Sequence, residues 1–526
     1  MAASSSTADC LKAFGAQGET LPEIYDTLLR GDIIETLDPL ELVSPLLTSK
    51  DEASWNILQL MVHKSSPREM ILAANEALES LHRSIWLDES DMDADEYGLP
   101  IADQIIRLMH VYRDVIVRVP LRKRGPGPIV QGFMSELNRV ISLSSHSLSG
   151  DRGRRTLGLG QELATSIMGW AKGKEELTPD ELKYHNEILL VFIESMLESL
   201  AFCIETSIAD WAFLEVFPEL GGLQAVENKD HWKEGLSVMS NIVRSYIQIR
   251  GNDLRTLPSS PTRSTLILYA HWQFGTRQSQ YDHSSQLSFF QPVILASLQT
   301  NAIIYETISF LLLSLRCRCE LSPETIIPLS TTLPSLCSSH PDPSIRHYAF
   351  RVLSLLLRSA ASPLRMQILK TLTSDYGNLP MRTAAVGLVK ESIIAALDSK
   401  SDVFASPMFL KTFGSVLFVP DPPGLFNNST MNSSDEGRNE MARLTECLGL
   451  YYVLVVRDRA NKTGIKDKDN LANVERALLE PMKKALPRWI KNAQASKGGL
   501  PPSVMPLVSL ELSLERVYEA LGHPRT

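Results

Sequence analysis

Several stretches of this sequence carry residue types that could hold an ion or a phosphate or attack a bond. The first is CLGLYYVLVVRDRANKTGIKD, residues 447–467, where an apolar run passes into a charged loop. Asn461, Lys462, Thr463 and Gly464 offer amides, a cation, a hydroxyl and a turn. Those are the parts of an anion-binding loop or of a plain chain reversal. A second stretch, DESDMDADE at 88–96, sets Asp91, Asp93 and Asp95 at the first three ligand positions of a calcium loop. That loop also needs Gly at its sixth position and a bidentate Glu at its twelfth. Here those positions are Glu96 and Ala102, so a solvated acidic loop is expected. A third, RGRRTLGLGQ at 152–161, combines arginines with Gly-x-Gly. It lacks the preceding strand and the Gly-Lys-Ser/Thr ending that a phosphate loop requires.

The thiols and imidazoles are no more organised. Cys10, Cys203, Cys317, Cys319, Cys337 and Cys447 are scattered, a usage that fits reduced thiols of the cytosol or nucleus. Cys337 and His340, with His347 beyond them, have a ligand-like spacing, but no second cysteine pair completes a tetrahedral zinc site. Arg316 and Arg318 flank Cys317 and would favour its thiolate, against the plainer expectation of inert buried cysteine. No HExxH pair and no Gly-x-Ser-x-Gly elbow occurs. His231-Trp232 and His271-Trp272 are expected to pack at helix ends. The sequence therefore predicts no enzyme, no cofactor and no metal.

Bulk properties narrow the partner. A net charge of -9 with a pI near 5.8 excludes a general nucleic-acid binder, which needs a dominant basic face. The start, Met1-Ala-Ala-Ser-Ser-Ser, has neither the basic nor the apolar part of a signal peptide. Ile303–Leu315 is the most apolar stretch, yet Glu306 interrupts it and it is too short to span a bilayer. A cytoplasmic or nuclear protein without membrane contact is the expectation.

The elements that must position these residues are helices. Leu189, Phe192, Ile193, Met196, Leu197 and Leu200 recur at three- and four-residue spacings, behind a Thr178–Pro179–Glu181 capping box. Ile105, Met109, Tyr112, Ile116 and Val119 repeat the stripe. Pro/Ser/Asn-rich breaks fall at 257–263 and 420–437, and a basic, then rigid one at 121–128. Two segments look like copies: Pro343-Ser-Ile-Arg346 and Pro380-Met-Arg382 each lead an apolar helix, their arginines 36 residues apart. Ile345, Ala349, Val352, Leu353 and Leu356 form one buried face, and Met381, Ala385, Leu388, Val389 and Ile393 the other. A helix pair at about this period predicts an all-α, irregular HEAT/armadillo-like α-solenoid of stacked helix pairs. Residues 1–260 are read as N-terminal helical repeats and 261–526 as C-terminal HEAT-like repeats.

The opening segment then reads as a helical hairpin with a glycine turn. Leu448, Leu450, Leu454 and Val455 face one side of a helix that Arg457 and Asp458 end. Thr463, Gly464 and Ile465 turn the chain, and Asn473, Glu475, Leu478, Pro481 and Met482 begin and carry the next helix. This order of residues, within 440–486, resembles the C-terminal signature of the glomulin family, which includes the plant lateral-root protein Alf and fungal Yap-binding and kinetochore-associated proteins. Ser54-Trp55-Asn56 with Pro67-Arg68-Glu69, the 343–394 repeats, Ser415–Asp421, and Pro501-Pro502 with Leu507–Leu521 are similar to other parts of the family. Arg118–Thr300 carries no matching motif, and the 420–437 loop is longer than in glomulin.

The resemblance implies a non-enzymatic helical adaptor. In the fungal branch it implies a protein of the peroxide stress response that binds a Yap-type transcription factor, or one associated with kinetochores. In the glomulin branch it implies an inhibitor that covers the RING-box subunit of cullin-RING ubiquitin ligases with its C-terminal half. The partner-binding candidates are Arg457, Asp458, Arg459, Lys462, Thr463, Gly464, Ile465, Asn473, Arg476, Lys483 and Lys484. They lie in a basic run from Arg457 to Lys497 that could steer a partner and set its orientation.

Overall fold

The computed structural model describes residues 21–30, 34, 37–87, 99–120, 126–173, 178–223, 230–252, 254, 256–258, 260–276, 283–317, 320–375, 377–399, 402–427, 435–495 and 505–522. Cys10, the acidic 88–96 stretch, Arg318, Cys319 and Pro501-Pro502 lie outside them. No strand occurs among the described residues. The chain forms two compact units, Met1–Tyr281 with Pro292–Phe310, and Asp282–Gln291 with Leu311–Thr526.

The helices, in order, are α1 (Leu21–Arg30), α2 (Pro39–Thr48), α3 (Glu52–Lys64), α4 (Pro67–Leu87), α5 (Ile101–Ile116), α6 (Gly127–Ser144), α7 (Gly150–Lys172), α8 (Pro179–Leu200), α9 (Ile208–Val216), α10 (Asp230–Arg250) and α11 (Arg263–Thr276). They continue as α12 (His283–Thr300), α13 (Ile304–Leu315), α14 (Pro323–Ser339), α15 (Pro343–Arg358), α16 (Ser362–Thr373), α17 (Leu379–Asp398), α18 (Met408–Leu417), α19 (Asp435–Arg457), α20 (Lys468–Val474), α21 (Glu480–Ala495) and α22 (Met505–Ala520). Many begin as their sequences dictate. Asp38, Asp51 and Asp342 each accept a backbone N–H from the first turn, followed in two cases by a proline whose missing N–H costs nothing there. Thr178 and Glu181 close the expected capping box on α8, 3.0 and 3.3 Å apart in its two bonds.

In the first unit the helices stack in two layers. α1, α3, α5, α7 and α10 pack in succession, and α2, α4, α6, α8 and α11 do the same beside them. An amphipathic helix cannot bury its stripe alone, so each layer covers the other. Leu189, Phe192, Ile193, Met196, Leu197 and Leu200 of α8 are all buried. RGRRTLGLGQ is not a loop at all but part of α7. Its Arg154 is buried, where it answers Asp151, Glu205 and Glu234. His271 and Trp272 are buried well inside α11 instead of at its end, and His231 and Trp232 do begin α10.

The second unit pairs α14 with α15, α16 with α17, and α17 with α19. The two matching segments are the helices α15 and α17, and their arginines have the same job. Arg346, fourth residue of α15, donates from Nη1 to the carbonyls of His340 and Pro341, 2.7 and 3.0 Å away, just past the end of α14. Arg382, fourth residue of α17, donates from Nε to the Thr373 carbonyl at the end of α16, 3.1 Å away. A third copy comes next that the spacing hides. Arg443 of α19 donates to the carbonyls of Val416 and Val419, 3.0 and 2.9 Å away, at the end of α18. The last carbonyls of a helix have no partner within it and carry the negative end of its dipole, so a guanidinium there satisfies both needs. These features make the chain an all-α protein of stacked helix pairs, the solenoid class.

Candidate functional site

The C-terminal surface is built on α19. The sequence places Leu448, Leu450, Leu454 and Val455 on one side of it, but at 100° per residue Leu450 lies about 200° from Leu448. All four are buried, because α19 packs against both α17 and α22. What remains uncovered is a narrow strip carrying Tyr452 and Val456, 39 and 44 % exposed. It runs into the exposed Arg457 that ends the helix.

The loop after α19 is held from inside. Asp458 is 1 % exposed and Thr463 fully buried. Asp458 Oδ1 accepts the Lys462 N–H at 2.8 Å, while Oδ2 accepts the Thr463 N–H at 2.8 Å and its hydroxyl at 2.7 Å. Asn461 Oδ1 accepts the Lys466 N–H at 2.8 Å, and its Nδ2 donates to Asp467 at 2.8 Å. Asn461 and Gly464 take positive φ, 52° and 77°, which Asn tolerates and Gly adopts freely. Amides that could hold a phosphate are thus occupied by the loop's own carboxylate. The loop turns the chain.

Of the candidate contact residues, Asp458, Thr463, Gly464 and Ile465 lie inside and fix the loop's shape. Arg457, Arg459, Lys462, Asn473, Arg476, Lys483 and Lys484 are brought out to solvent. Lys462 Nζ reaches the Ser399 carbonyl beyond α17, 3.3 Å away. Arg476 leans on Asn473 at 2.9 Å, Lys484 lies 3.8 Å from Glu480, and Lys483 sits 4.7 Å over the Tyr518 ring. Arg457, Arg459, Lys466 and Lys468 form no ion pair among the described residues.

The helix expected after the turn is not uniform. Between α20 and α21, Glu475–Leu479 widens to i→i+5 bonding, with the Glu480 N–H on the Glu475 carbonyl. Pro481 directly follows and has no N–H to return to the carbonyl four residues back, which favours the wider turn. Beside it opens a groove of about 540 Å³ lined by Phe426, Ala472, Arg476, Pro481, Lys484 and Arg488. The sequence reading missed both the groove and the Tyr452–Val456 strip. Residues 447–456 are apolar on every side of the helix, so no signal in the sequence marks that strip.

Among the described residues no group of His, Cys, Asp and Glu could hold a metal. His340 Nδ1 accepts the Asp342 N–H at 3.1 Å, so it is committed to the helix start. Burial pushes the thiols of Cys203 and Cys447 up to about 11 and that of Cys337 up to about 12, which leaves them protonated and unreactive at neutral pH. No described helix is long and apolar enough to cross a membrane.

Stacked helix pairs ending in a basic, partly apolar surface define a helical-repeat protein. Residues 265–520 match the model of the uncharacterised protein family YAP/Alf4/glomulin. The match covers the C-terminal part of the chain, which is similar to that family. No individually curated protein matches the chain.

Proposed function

We propose that this chain is a non-enzymatic regulator of the cytoplasm and nucleus that works by docking another protein on the surface from Tyr452 to Lys491. The observation that carries this reading is a set of cations beside the uncovered Tyr452–Val456 strip. Arg457, Arg459 and Lys468 are exposed and Lys466 half-buried, and none is ion-paired among the described residues. An apolar centre with a charged rim is the make-up of a protein interface, and the rim sets on-rate and orientation.

The partner proposed first is a Yap-type transcription factor of the peroxide response. The chain would supply proximity and orientation for that factor's oxidation, and its own buried thiols would take no part. Cells carrying Arg457→Glu with Arg459→Glu should become peroxide-sensitive and oxidise the factor more slowly. Unchanged tolerance together with undiminished oxidation rejects this partner.

A second reading is favoured by the apolar strip itself, which suits the masking of a RING-box subunit of a cullin-RING ligase. Purified RING-box protein should then bind at micromolar concentration and lose ubiquitin-conjugating enzyme access. Absence of binding removes that reading. An association with kinetochores is the remaining form, and localisation of the tagged chain in dividing cells decides it.

A further inference from the structure

The first unit holds a cleft that uses none of the residues of that surface. It is open, about 440 Å³ in volume, and lies among α3, α5 and α7, lined by Trp55, Leu99, Asp103, Arg107, His110 and Arg155. One side is a rigid shelf. The Arg107 guanidinium stands 5.5 Å from the Trp55 ring centre, and the Trp55 and His110 rings are 5.8 Å apart. Arg107 Nη1 is also anchored on the Leu46 and Ser49 carbonyls at the end of α2, 3.2 and 2.8 Å away. Leu99 is pinned at both ends, its N–H on the Thr48 carbonyl at 2.7 Å and its carbonyl under Gln104 Nε2 at 2.6 Å.

The charge is uneven. The one acid of the lining, Asp103, is answered by Arg152 at 2.9 Å. Arg155 is exposed and forms no ion pair or hydrogen bond among the described residues. A fixed cation and a free cation therefore converge on a cleft whose walls, Trp55, Leu99 and Ile106, are apolar. A lone oxyanion would leave most of this volume empty, since even a water molecule's share of liquid is about 30 Å³. An anion attached to an apolar body fills it.

We propose that this cleft binds an acidic peptide segment, with a carboxylate or phosphate oxyanion on Arg155 and Arg107 and a neighbouring apolar side chain on Trp55. Charge-assisted bonds from guanidinium to oxyanion give the orientation, and the aromatic shelf gives contact area. His110 reports occupancy. Its pKa is lowered by burial first and then by Arg113 and Arg155, against the opposing charges of Asp114 and Glu162. An oxyanion beside it reverses part of that shift.

The test uses the full chain and blocked pentapeptides Ala-Phe-X-Phe-Ala, with X glutamate, phosphoserine or glutamine, and inorganic phosphate alone. Calorimetry gives affinity, and the NMR titration of the His110 ring gives placement. The acidic peptides should bind at least about tenfold more tightly than the glutamine peptide and raise the His110 pKa, as a charged hydrogen bond of this kind predicts. Arg155→Gln, a change at an exposed side chain with no ion pair or hydrogen bond among the described residues, should abolish that preference while circular dichroism stays unchanged. The tighter of the glutamate and phosphoserine peptides identifies the oxyanion. Equal binding of all three peptides, no binding at millimolar concentration, or an unaffected Arg155→Gln variant overturns the proposal. Inorganic phosphate binding as tightly as the peptides overturns its peptide part.

Discussion

The Arg443 guanidinium lies 2.6 Å from Glu440 Oε1, one turn earlier on α19, and the two side chains are only 2 and 7 % exposed. Glu440 also accepts the Asp421 N–H at 2.9 Å, and Arg443 holds the Val416 and Val419 carbonyls. Burial by itself would lower the guanidinium's pKa, but the bonds to Glu440 and the nearby Cys447 and Asp421 hold it above its ordinary value. The pair ties α19 to the chain after α18. Removing one member leaves the other charged and buried, so Arg443→Met should cost about 3–5 kcal/mol in urea unfolding. A loss below about 1 kcal/mol would mean that the pair is not held as described.

The loop after α19 should be sensitive to a single atom. Asp458→Asn replaces an acceptor oxygen with an NH₂ group that faces backbone N–H donors, a loss of about 2–3 kcal/mol. Gly464→Ala should cost about 1–2 kcal/mol, because φ is 77° there and the new Cβ would lie 3.0 Å from Asp467 Oδ2. Thermal melts of the two variants measure both.

Two glycines of the first unit should differ in tolerance. A Cβ on Gly235 would sit 2.3 Å from the Ile204 carbonyl oxygen, which is backbone. One on Gly160 would meet the flexible tip of Met196 at 2.2 Å. Gly235→Ala should therefore cost about 3 kcal/mol and Gly160→Ala about 1 kcal/mol, within the range for overpacking. In a double-mutant cycle Met196→Ala should couple favourably with Gly160→Ala and not with Gly235→Ala.

His271 and Glu306 lie 4.0 Å apart in the core of the first unit, both buried. Burial lowers His271 from 6.5 to about 3 and raises Glu306 from 4.5 to about 7. The raised Glu306 gives stability that is complete below pH 4.5 and is lost as pH rises through about 7. The depressed His271 gives stability that is complete above pH 6.5 and is lost as pH falls toward about 3. Glu306→Gln should flatten the decline between pH 4.5 and 7, worth about 3 kcal/mol. His271→Gln should flatten the acid limb. Chemical unfolding from pH 3 to pH 8 separates the two.

Charge reversal at Arg457 and Arg459 should leave stability within about 0.5 kcal/mol, since neither side chain has an ion-pair partner to lose among the described residues. Association with the docked protein should slow, and the rate should lose part of its dependence on salt. Stopped-flow binding at two ionic strengths reads both effects.

Much of this architecture is legible in the sequence because helix starts and apolar stripes are local. The Thr178–Glu181 box and the α8 stripe emerge from spacing alone. Arg346 and Arg382 are legible as a repeat, since nothing interrupts their period. Arg443 is not, because the longer connection before α19 moves it 61 residues from Arg382. The α19 strip escapes for a different reason. An all-round apolar helix gives no sign of which side its neighbours will leave bare, and only the packing of α17 and α22 decides it. The burial of Asp458 escapes too, since a charged residue at a helix end reads as solvated until three donors are found around it.

The arginine clamps have an evolutionary corollary. Each ties the start of one helix, or its first turns, to the end of the helix before it, so register is fixed at those three junctions. A connection such as 420–437 can then grow by many residues without misaligning the helices beyond it. Sequence drift in such a chain should concentrate between clamps.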